Sequence, residues 1–162
     1  MVVDMFLKLK NPEVTGEATD IDHKGEIDVV SWSWGIQSPR SVTTGKAAAK
    51  FKLNEVVIVK RIDRASPVLM QLAKHNKPVE VATLTLRKSG STQLTFLTVE
   101  LKNARVTSVN VQCENTVAAM STDIVERVNL GFDHVTITYT PQAATGGKGG
   151  GDVVFEADSY TV

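Results

Sequence analysis

The feature that most constrains the fold of this chain is a period-two alternation of apolar and polar residues, which recurs from the N-terminus to about residue 140. Near the start, the stretch VVDMFLKL alternates apolar residues with Asp4 and Lys8, interrupted at Phe6. Such alternation is typical of half-buried strands, and valine, isoleucine and threonine, which favour strands, crowd these segments. Further strands are predicted at residues 50–62, 79–88, 93–101, 104–112 and 124–140.

A short polar stretch, Ser89-Gly90-Ser91, separates two of the alternating runs. Gly90 can adopt a positive φ at little cost, so the stretch is typical of a tight hairpin connection. The strands on either side of it are therefore expected to be antiparallel neighbours.

One segment, SPVLMQLAKHNKP at residues 66–78, departs from the alternation and predicts a helix over about 66–77. Ser66 is the predicted N-cap, Pro67 occupies the first helical position, and Pro78 stops the helix. The apolar stripe of the helix is short, which suits a helix that covers a sheet edge or a barrel mouth. Many strands and one short helix predict a mainly β fold, a barrel or sandwich of two packed antiparallel sheets.

Composition excludes several classes of protein. The 162 residues suit one domain with a core large enough to be stable without disulfides or bound metals. Because 18 basic and 18 acidic side chains cancel, no overall field draws the chain to nucleic acid or anionic lipid. The single cysteine, Cys113, cannot form an intrachain disulfide. The N-terminus lacks a signal-peptide pattern and no apolar run could span a membrane, so we expect a soluble protein made in the cytosol.

Two long irregular segments stand outside the strand pattern. Residues 38–49 form a predicted long extended loop, and loops of this length in compact domains are usually functional or mobile. Beyond a single domain at residues 1–142, residues 143–162 have the composition of a glycine-rich linker and tail. Val153 to Phe155 could form a short strand, for which a closed barrel offers no obvious partner.

No constellation of catalytic, metal-binding or cofactor-binding residues is predicted. Asp20, Asp22 and Gly25 match three positions of a calcium-binding loop. The match fails at Lys24 and at Ser31, where a ligand and the bidentate glutamate belong, so a solvated acidic loop is favoured. No serine lies in a nucleophile-elbow pattern and no histidine in a metalloprotease motif.

Two tryptophans, Trp32 and Trp34, lie two positions apart in EIDVVSWSWG and would share one face of a strand. Three interpretations compete: a stacking platform for sugars or single-stranded nucleic acid, a pair of core anchors, or an interface patch. A platform for bases would need nearby cations, and residues 26–36 contain none. Core anchoring is favoured because aromatic residues make up only 6% of the chain and burial of an indole contributes strongly to stability.

The opposite face of that strand would carry Ser31 and Ser33, together with Ile27 and Val29. This face is small and weakly polar, and it resembles neither a buried face nor an ordinary solvent-facing one. We interpret it as the wall of an assembly, with Ser31 and Ser33 as candidate lumen-facing residues.

Four motifs resemble the Hcp (hemolysin-coregulated protein) family of bacterial type VI secretion systems. They are VDMFLKL, EIDVVSWSWG, SPVLMQLAKHNKPVEVATLTLRKSG and VNLGFDHVTITYTPQ. They occur in the order and spacing of the family, and the resemblance runs from residue 2 to about Gln142. Any one of these motifs would be weak, but the four together are specific.

The resemblance implies a structural protein, not an enzyme, that forms hexameric rings. Such rings stack into an inner tube that contacts sheath, spike and baseplate proteins and carries effectors in its lumen. The family leaves the bacterial cytoplasm through the type VI machine without a cleaved signal peptide. No cofactor, nucleic acid or membrane insertion is implied. The long loop resembles the family's extended loop, so its residues are candidate subunit contacts: Ser38, Pro39, Arg40, Ser41, Val42, Thr43, Thr44, Gly45 and Lys46.

Functions of other classes remain as alternatives. A carbohydrate-binding module would expose Trp32 and Trp34 as a stacking platform. A hydrolase would need a nucleophile, a base and an oxyanion site, and some longer relatives in the family carry an added enzyme domain. The roughly 20 residues after Gln142 are too few to form one.

Overall fold

The computed structural model describes residues 2–38, 51–90, 92–113 and 124–159 of the chain. Within these ranges the alternating segments form strands, and one segment forms a helix. The elements, in chain order, are β1 (Val3–Lys10), β2 (Ile27–Asp28), β3 (Ser31–Ser33), β4 (Ile36–Gln37), β5 (Lys52–Leu53), β6 (Val56–Arg61), α1 (Ser66–His75), β7 (Val79–Lys88), β8 (Thr95–Cys113), β9 (Ile124–Gly131), β10 (His134–Tyr139) and β11 (Val153–Asp158).

The strands form two antiparallel sheets that share β8. The first sheet has the order β2-β1-β7-β8-β10-β11, and the second has the order β8-β9-β6-β3. A separate short ladder joins β4 to β5. The predicted class, mainly β with two antiparallel sheets and one short helix, is confirmed. β2 and β3 end the path of paired strands and do not pair with each other, so the sheet is not closed as a barrel.

The long strand β8 was predicted as two strands, and it is one. Its N-terminal half pairs with β7 as far as Ala104, and its C-terminal half pairs with β9 from Arg105 onward. Asn103 between the two halves has φ 50°, a left-handed conformation that asparagine tolerates better than most residues. The strand therefore passes from one sheet to the other without a turn.

Other predicted boundaries are partly right. The segment at residues 79–88 matches β7 (Val79–Lys88), and β7 and β8 are antiparallel neighbours as the hairpin connection predicts. The segment at 124–140 contains two strands, β9 and β10, and the segment at 50–62 contains β5 and β6. The tail forms the strand β11, which pairs with β10, because the open sheet leaves one edge of β10 free.

A turn at residues 142–149 leads into β11. Gln142 and Lys148 pair across it, and a Cβ at Gly149 would lie 2.5 Å from the backbone nitrogen of Ala143. Only glycine fits at such a close approach of two backbones. Gly150 has nothing within 4 Å of the same position. The glycine-rich stretch therefore includes a packed turn.

The helix α1 begins at Ser66, the start of the predicted range, but its N-cap is Ala65 rather than Ser66, and Pro67 is therefore the second helical residue. The Ser66 hydroxyl instead lies inside a polar cluster, which keeps it from capping the helix. At the other end, Asn76 adopts the left-handed conformation and ends the helix before Pro78. Leu69 and Leu72 are buried, and the helix packs against β8. One continuous core joins both sheets and α1.

Candidate assembly surfaces

The tryptophan segment lies at the edge of the second sheet. In β3, Trp32 pairs with Ile58 of β6, and both Trp32 and Trp34 are half-buried against the hydrophobic core. Ser31 and Ser33 are exposed on the opposite side. Two half-buried rings packed on a core leave little face for stacking a sugar, which favours core anchoring over the stacking platform.

One period-two pattern was expected from Ile27 to Trp34, and it is wrong for the N-terminal half of that segment. Ile27 and Val29, predicted to share a face with Ser31 and Ser33, are buried. The phase of the alternation slips between Val29 and Ser31 because β2 pairs with β1 in the first sheet whereas β3 pairs with β6 in the second. A change of sheet turns the side chains to new faces, so one period-two pattern cannot describe both strands.

Trp34 also contacts the tail. Its ring lies 6.2 Å from the ring of Phe155 in β11, tilted by 50°. The indole Nε1 is buried and has no hydrogen-bond partner in the described part of the chain. The C-terminal strand thus packs against the tryptophan segment through an aromatic pair.

The outer face of the second sheet continues the row of small polar residues that β3 begins. In the ladder register, Ser31 lies beside Val59, Arg127 and Asn110, and Ser33 lies in the neighbouring row. We name this surface the serine face and define it by eight residues: Ser31, Ser33, Val57, Val59, Ser108, Asn110, Arg127 and Asn129. The alternate residues of the same strands, such as Ile58 and Val128, are buried. The serine face is therefore the solvent side of this sheet in the isolated chain.

The second sheet has two edges that no other described strand covers. One edge is β3 and the other is the C-terminal half of β8, where Val111 is 49% exposed. The first sheet ends at β11, where Val154 is 55% exposed. Open strand edges with exposed apolar residues are sites at which another chain can pair.

The outer face of the first sheet is different, because it carries charges of both signs. His134 of β10 lies between Asp158 of β11 and Lys102 of β8 in the ladder register. The His134 Nδ1 atom is 2.7 Å from Asp158 Oδ1, and its Nε2 atom is 3.6 Å from Glu156 Oε2. Glu100 lies in the adjacent row. This mixture is typical of a surface in contact with water.

The loop between β1 and β2 is fixed to the first sheet by Arg87. The Arg87 guanidinium donates two hydrogen bonds to Asp20, at 3.1 and 2.6 Å, and one to Asp4 at 3.2 Å. The hydrogen bonds from Arg87 lower the pKa of the Asp20 carboxyl to about 2. The acidic stretch that partly matched a calcium loop therefore holds an arginine, and no group of His, Cys, Asp or Glu within the described ranges is placed to hold a metal ion.

A second polar cluster lies inside the protein, where Lys60 and Glu126 are opposite each other in β6 and β9. Both side chains are 0% exposed, and they form an ion pair. The Lys60 ammonium also donates to Asp63 Oδ1 at 2.8 Å, Ser66 Oγ at 3.1 Å and the carbonyl of Arg61 at 2.9 Å. The cluster joins both strands to the start of α1, so we assign it a structural role.

The predicted interface loop falls almost entirely outside the described residues. Ser38 is exposed, and residues 39–50, which include the other eight candidate contacts, lie beyond the description. The described strands on either side, β4 and β5, pair with each other, with Gln37 opposite Lys52. The predicted loop therefore connects the two strands of a hairpin. No helix in the described part of the chain is long and apolar enough to cross a membrane.

Comparison with known proteins agrees with this architecture. Residues 6–139 match the family model of the type VI secretion system effector Hcp. The chain is 37% identical over 159 residues to protein hcp1 of Pseudomonas aeruginosa, which covers 96% of this chain and 94% of that protein. It superposes on Hcp1 of Salmonella typhimurium with a TM-score of 0.77 and 28% identity, over 98% of this chain and 95% of that one.

A type VI secretion system effector of Yersinia pestis superposes with a TM-score of 0.74 and 25% identity, over 96% of this chain and 99% of that one. Sequence and fold therefore agree over nearly the whole chain. The recognition made from four sequence motifs is confirmed: the chain belongs to the Hcp family of type VI secretion tube proteins.

Proposed function

We propose that this protein is the structural subunit of a type VI inner tube, in which six copies close a ring and the rings stack. The tube contacts sheath, spike and baseplate proteins, and effector proteins travel in its lumen. The protein itself is made in the bacterial cytoplasm, leaves through the machine, and acts as a structural element rather than as an enzyme. The observation that carries the proposal is the second sheet, with two unlike open edges and a face of small polar side chains.

A ring of identical subunits can close if each subunit has two different edges that pair with each other. A cyclic assembly closes through heterologous contacts, in which one surface of a subunit meets a different surface of the next. β3 and the C-terminal half of β8 lie at opposite sides of the same four-stranded sheet. Joining β3 of one subunit to β8 of the next would place the second sheets of six subunits side by side. The serine face would then form a continuous wall.

The serine face suits the inside of such a wall. Ser31, Ser33 and Ser108 have short side chains that leave the channel wide, and their strands turn Trp32 and other apolar residues toward the core. The charged outer face of the first sheet is better suited to the tube exterior. Ser31 and Ser33 therefore face the lumen in this proposal, and Trp32 and Trp34 anchor the sheet behind them.

The proposal is tested by native mass over a range of protein concentrations. A ring of six 17.5 kDa subunits has a mass of about 105 kDa. The variant Val111→Lys places a charge at the β8 edge, and Val154→Lys places the same charge at the β11 edge with similar exposure, 49% against 55%. Lysine at an open edge opposes strand pairing. Val111→Lys should shift the protein toward monomer, and Val154→Lys should leave the ring intact.

Two outcomes would contradict the proposal or part of it. A wild-type protein that remains monomeric at every concentration contradicts the tube proposal. A ring that survives Val111→Lys but is lost with Val154→Lys would show that subunits join through β11 of the first sheet. In that case the serine face would not form the wall.

A further inference from the structure

The serine face carries one conspicuous cation, Arg127 at its centre. Arg127 is exposed, and its cross-strand neighbours are Val59 on β6 and Asn110 on β8. No carboxylate among the described residues pairs with its guanidinium. The neighbouring Glu126 points to the other side of the strand, where it is fully buried with Lys60. An exposed arginine flanked by uncharged residues is available to a partner.

The charges at the two ends of the serine face are Glu55 and Arg61. Glu55 lies at one end of the face, where it accepts a hydrogen bond from the Thr107 hydroxyl. Arg61 is exposed in the next row at the other end, on the same side of β6 as Val59. Burial raises the pKa of the Asp28 carboxyl, and the nearby charge of Arg61 partly opposes that rise. Between these ends, the described residues of the serine face are serine, valine, asparagine and Arg127.

We infer that the serine face selects acidic protein cargo through Arg127. This inference rests on the proposed ring, because the ring repeats Arg127 around the channel once per subunit. Six guanidinium groups facing one channel attract carboxylates more strongly than one does. A ring of like charges sets the charge selectivity of a pore, and several weak contacts to one cargo molecule add to its affinity. A protein with an acidic surface is therefore preferred in the lumen over a basic protein.

The face fits a polypeptide better than a nucleic acid. No described residue of the serine face is aromatic, so bases would find no ring on which to stack. Asn110 and Asn129 instead offer amide donors and acceptors, which match the peptide group. Of the two, Asn110 is exposed, so its amide is the one that cargo can reach.

The test measures binding of charged probes to the assembled ring. Fluorescent poly-glutamate, poly-lysine and a single-stranded oligonucleotide are each titrated into wild-type ring at low salt, and ring mass is checked in the same samples. Poly-glutamate should bind more tightly than the other two probes, and binding should weaken as salt rises toward 0.5 M, because exposed charges are screened within about 10 Å at 0.1 M. Arg127→Gln should weaken poly-glutamate binding by about tenfold or more.

Two further variants serve as controls. Lys102→Gln removes the same charge from the outer face of the first sheet, where Lys102 is exposed, and should leave binding unchanged. Arg127→Lys keeps the charge and should retain most of the binding, which separates charge from a loss of folding in Arg127→Gln.

Each result decides the inference. Intact rings that do not bind poly-glutamate, or that bind it equally well after Arg127→Gln, overturn the inference and leave the tube proposal standing. Equal or tighter binding of the oligonucleotide overturns the choice of polypeptide cargo. Absence of a ring in the wild-type protein overturns the proposed function itself.

Discussion

Replacing Lys60 with methionine should destabilise the protein strongly, because Lys60 and Glu126 form an ion pair with both side chains 0% exposed. The Lys60 ammonium is the donor for Asp63, Ser66 and Glu126 at once. Without it, the Glu126 carboxylate stays buried with no cation. Removing one partner of a buried ion pair costs about 3–5 kcal/mol. For a chain of this length, that loss lowers Tm by about 6–20 °C.

The assay is denaturant unfolding at pH 7 of Lys60→Met, Glu126→Leu and the double variant, all at one protein concentration. A fixed concentration is needed because any ring formation couples stability to subunit concentration. The double variant removes both charges and should be less destabilised than the sum of the single variants, by about 2 kcal/mol or more. Single variants that lose less than about 1 kcal/mol, or effects that simply add, would refute the reasoning.

Three further predictions concern the acid range, the tail and the loop. Because Arg87 lowers the pKa of folded Asp20 to about 2 from 3.8, their contact stabilises the protein above about pH 4, and this stabilisation is lost as pH falls toward 2. The Tm difference between wild type and Asp20→Asn should therefore shrink between about pH 4 and pH 2. A constant difference would argue against this linkage. Gly149→Ala brings a Cβ within 2.5 Å of backbone atoms and should lower the free energy of unfolding by about 1–3 kcal/mol in denaturant unfolding. Gly150→Ala should be nearly neutral, and equal effects of the two variants would contradict the packed turn. Replacing residues 38–51 with Asn-Gly should preserve the β4–β5 pairing but reduce ring stacking in light scattering, and an unchanged size distribution would exclude the loop from assembly.

The sequence predicts those parts of the fold that depend on local patterns. β7 alternates regularly from Ala82 to Leu86, and the helix is marked by Pro67 at its start and Pro78 beyond its end, so both were predicted closely. The N-cap was misassigned because Ser66 has the chemistry of a cap, while its hydroxyl is used by the buried cluster around Lys60. Tertiary contacts can override a local preference in this way.

Pairing between distant strands could not be read from the pattern. Nothing in the alternation around Ile27 shows that one part of the segment joins β1 and the next joins β6. Asn103 similarly gives no signal that β8 continues through it into the second sheet. Arg127 could be placed on a strand but not beside Val59 and Asn110, because that neighbourhood depends on the register of three strands.

The passage of β8 through both sheets has a mechanical consequence. Force applied to one sheet reaches the other along a covalent backbone, from Thr95 to Cys113, and not only across contacts between side chains. Sliding one sheet over the other would require shearing the ladders that β8 forms with β7, β9 and β10 together. We therefore expect the two sheets to deform as one stiff unit, with the left-handed backbone at Asn103 as its most compliant point.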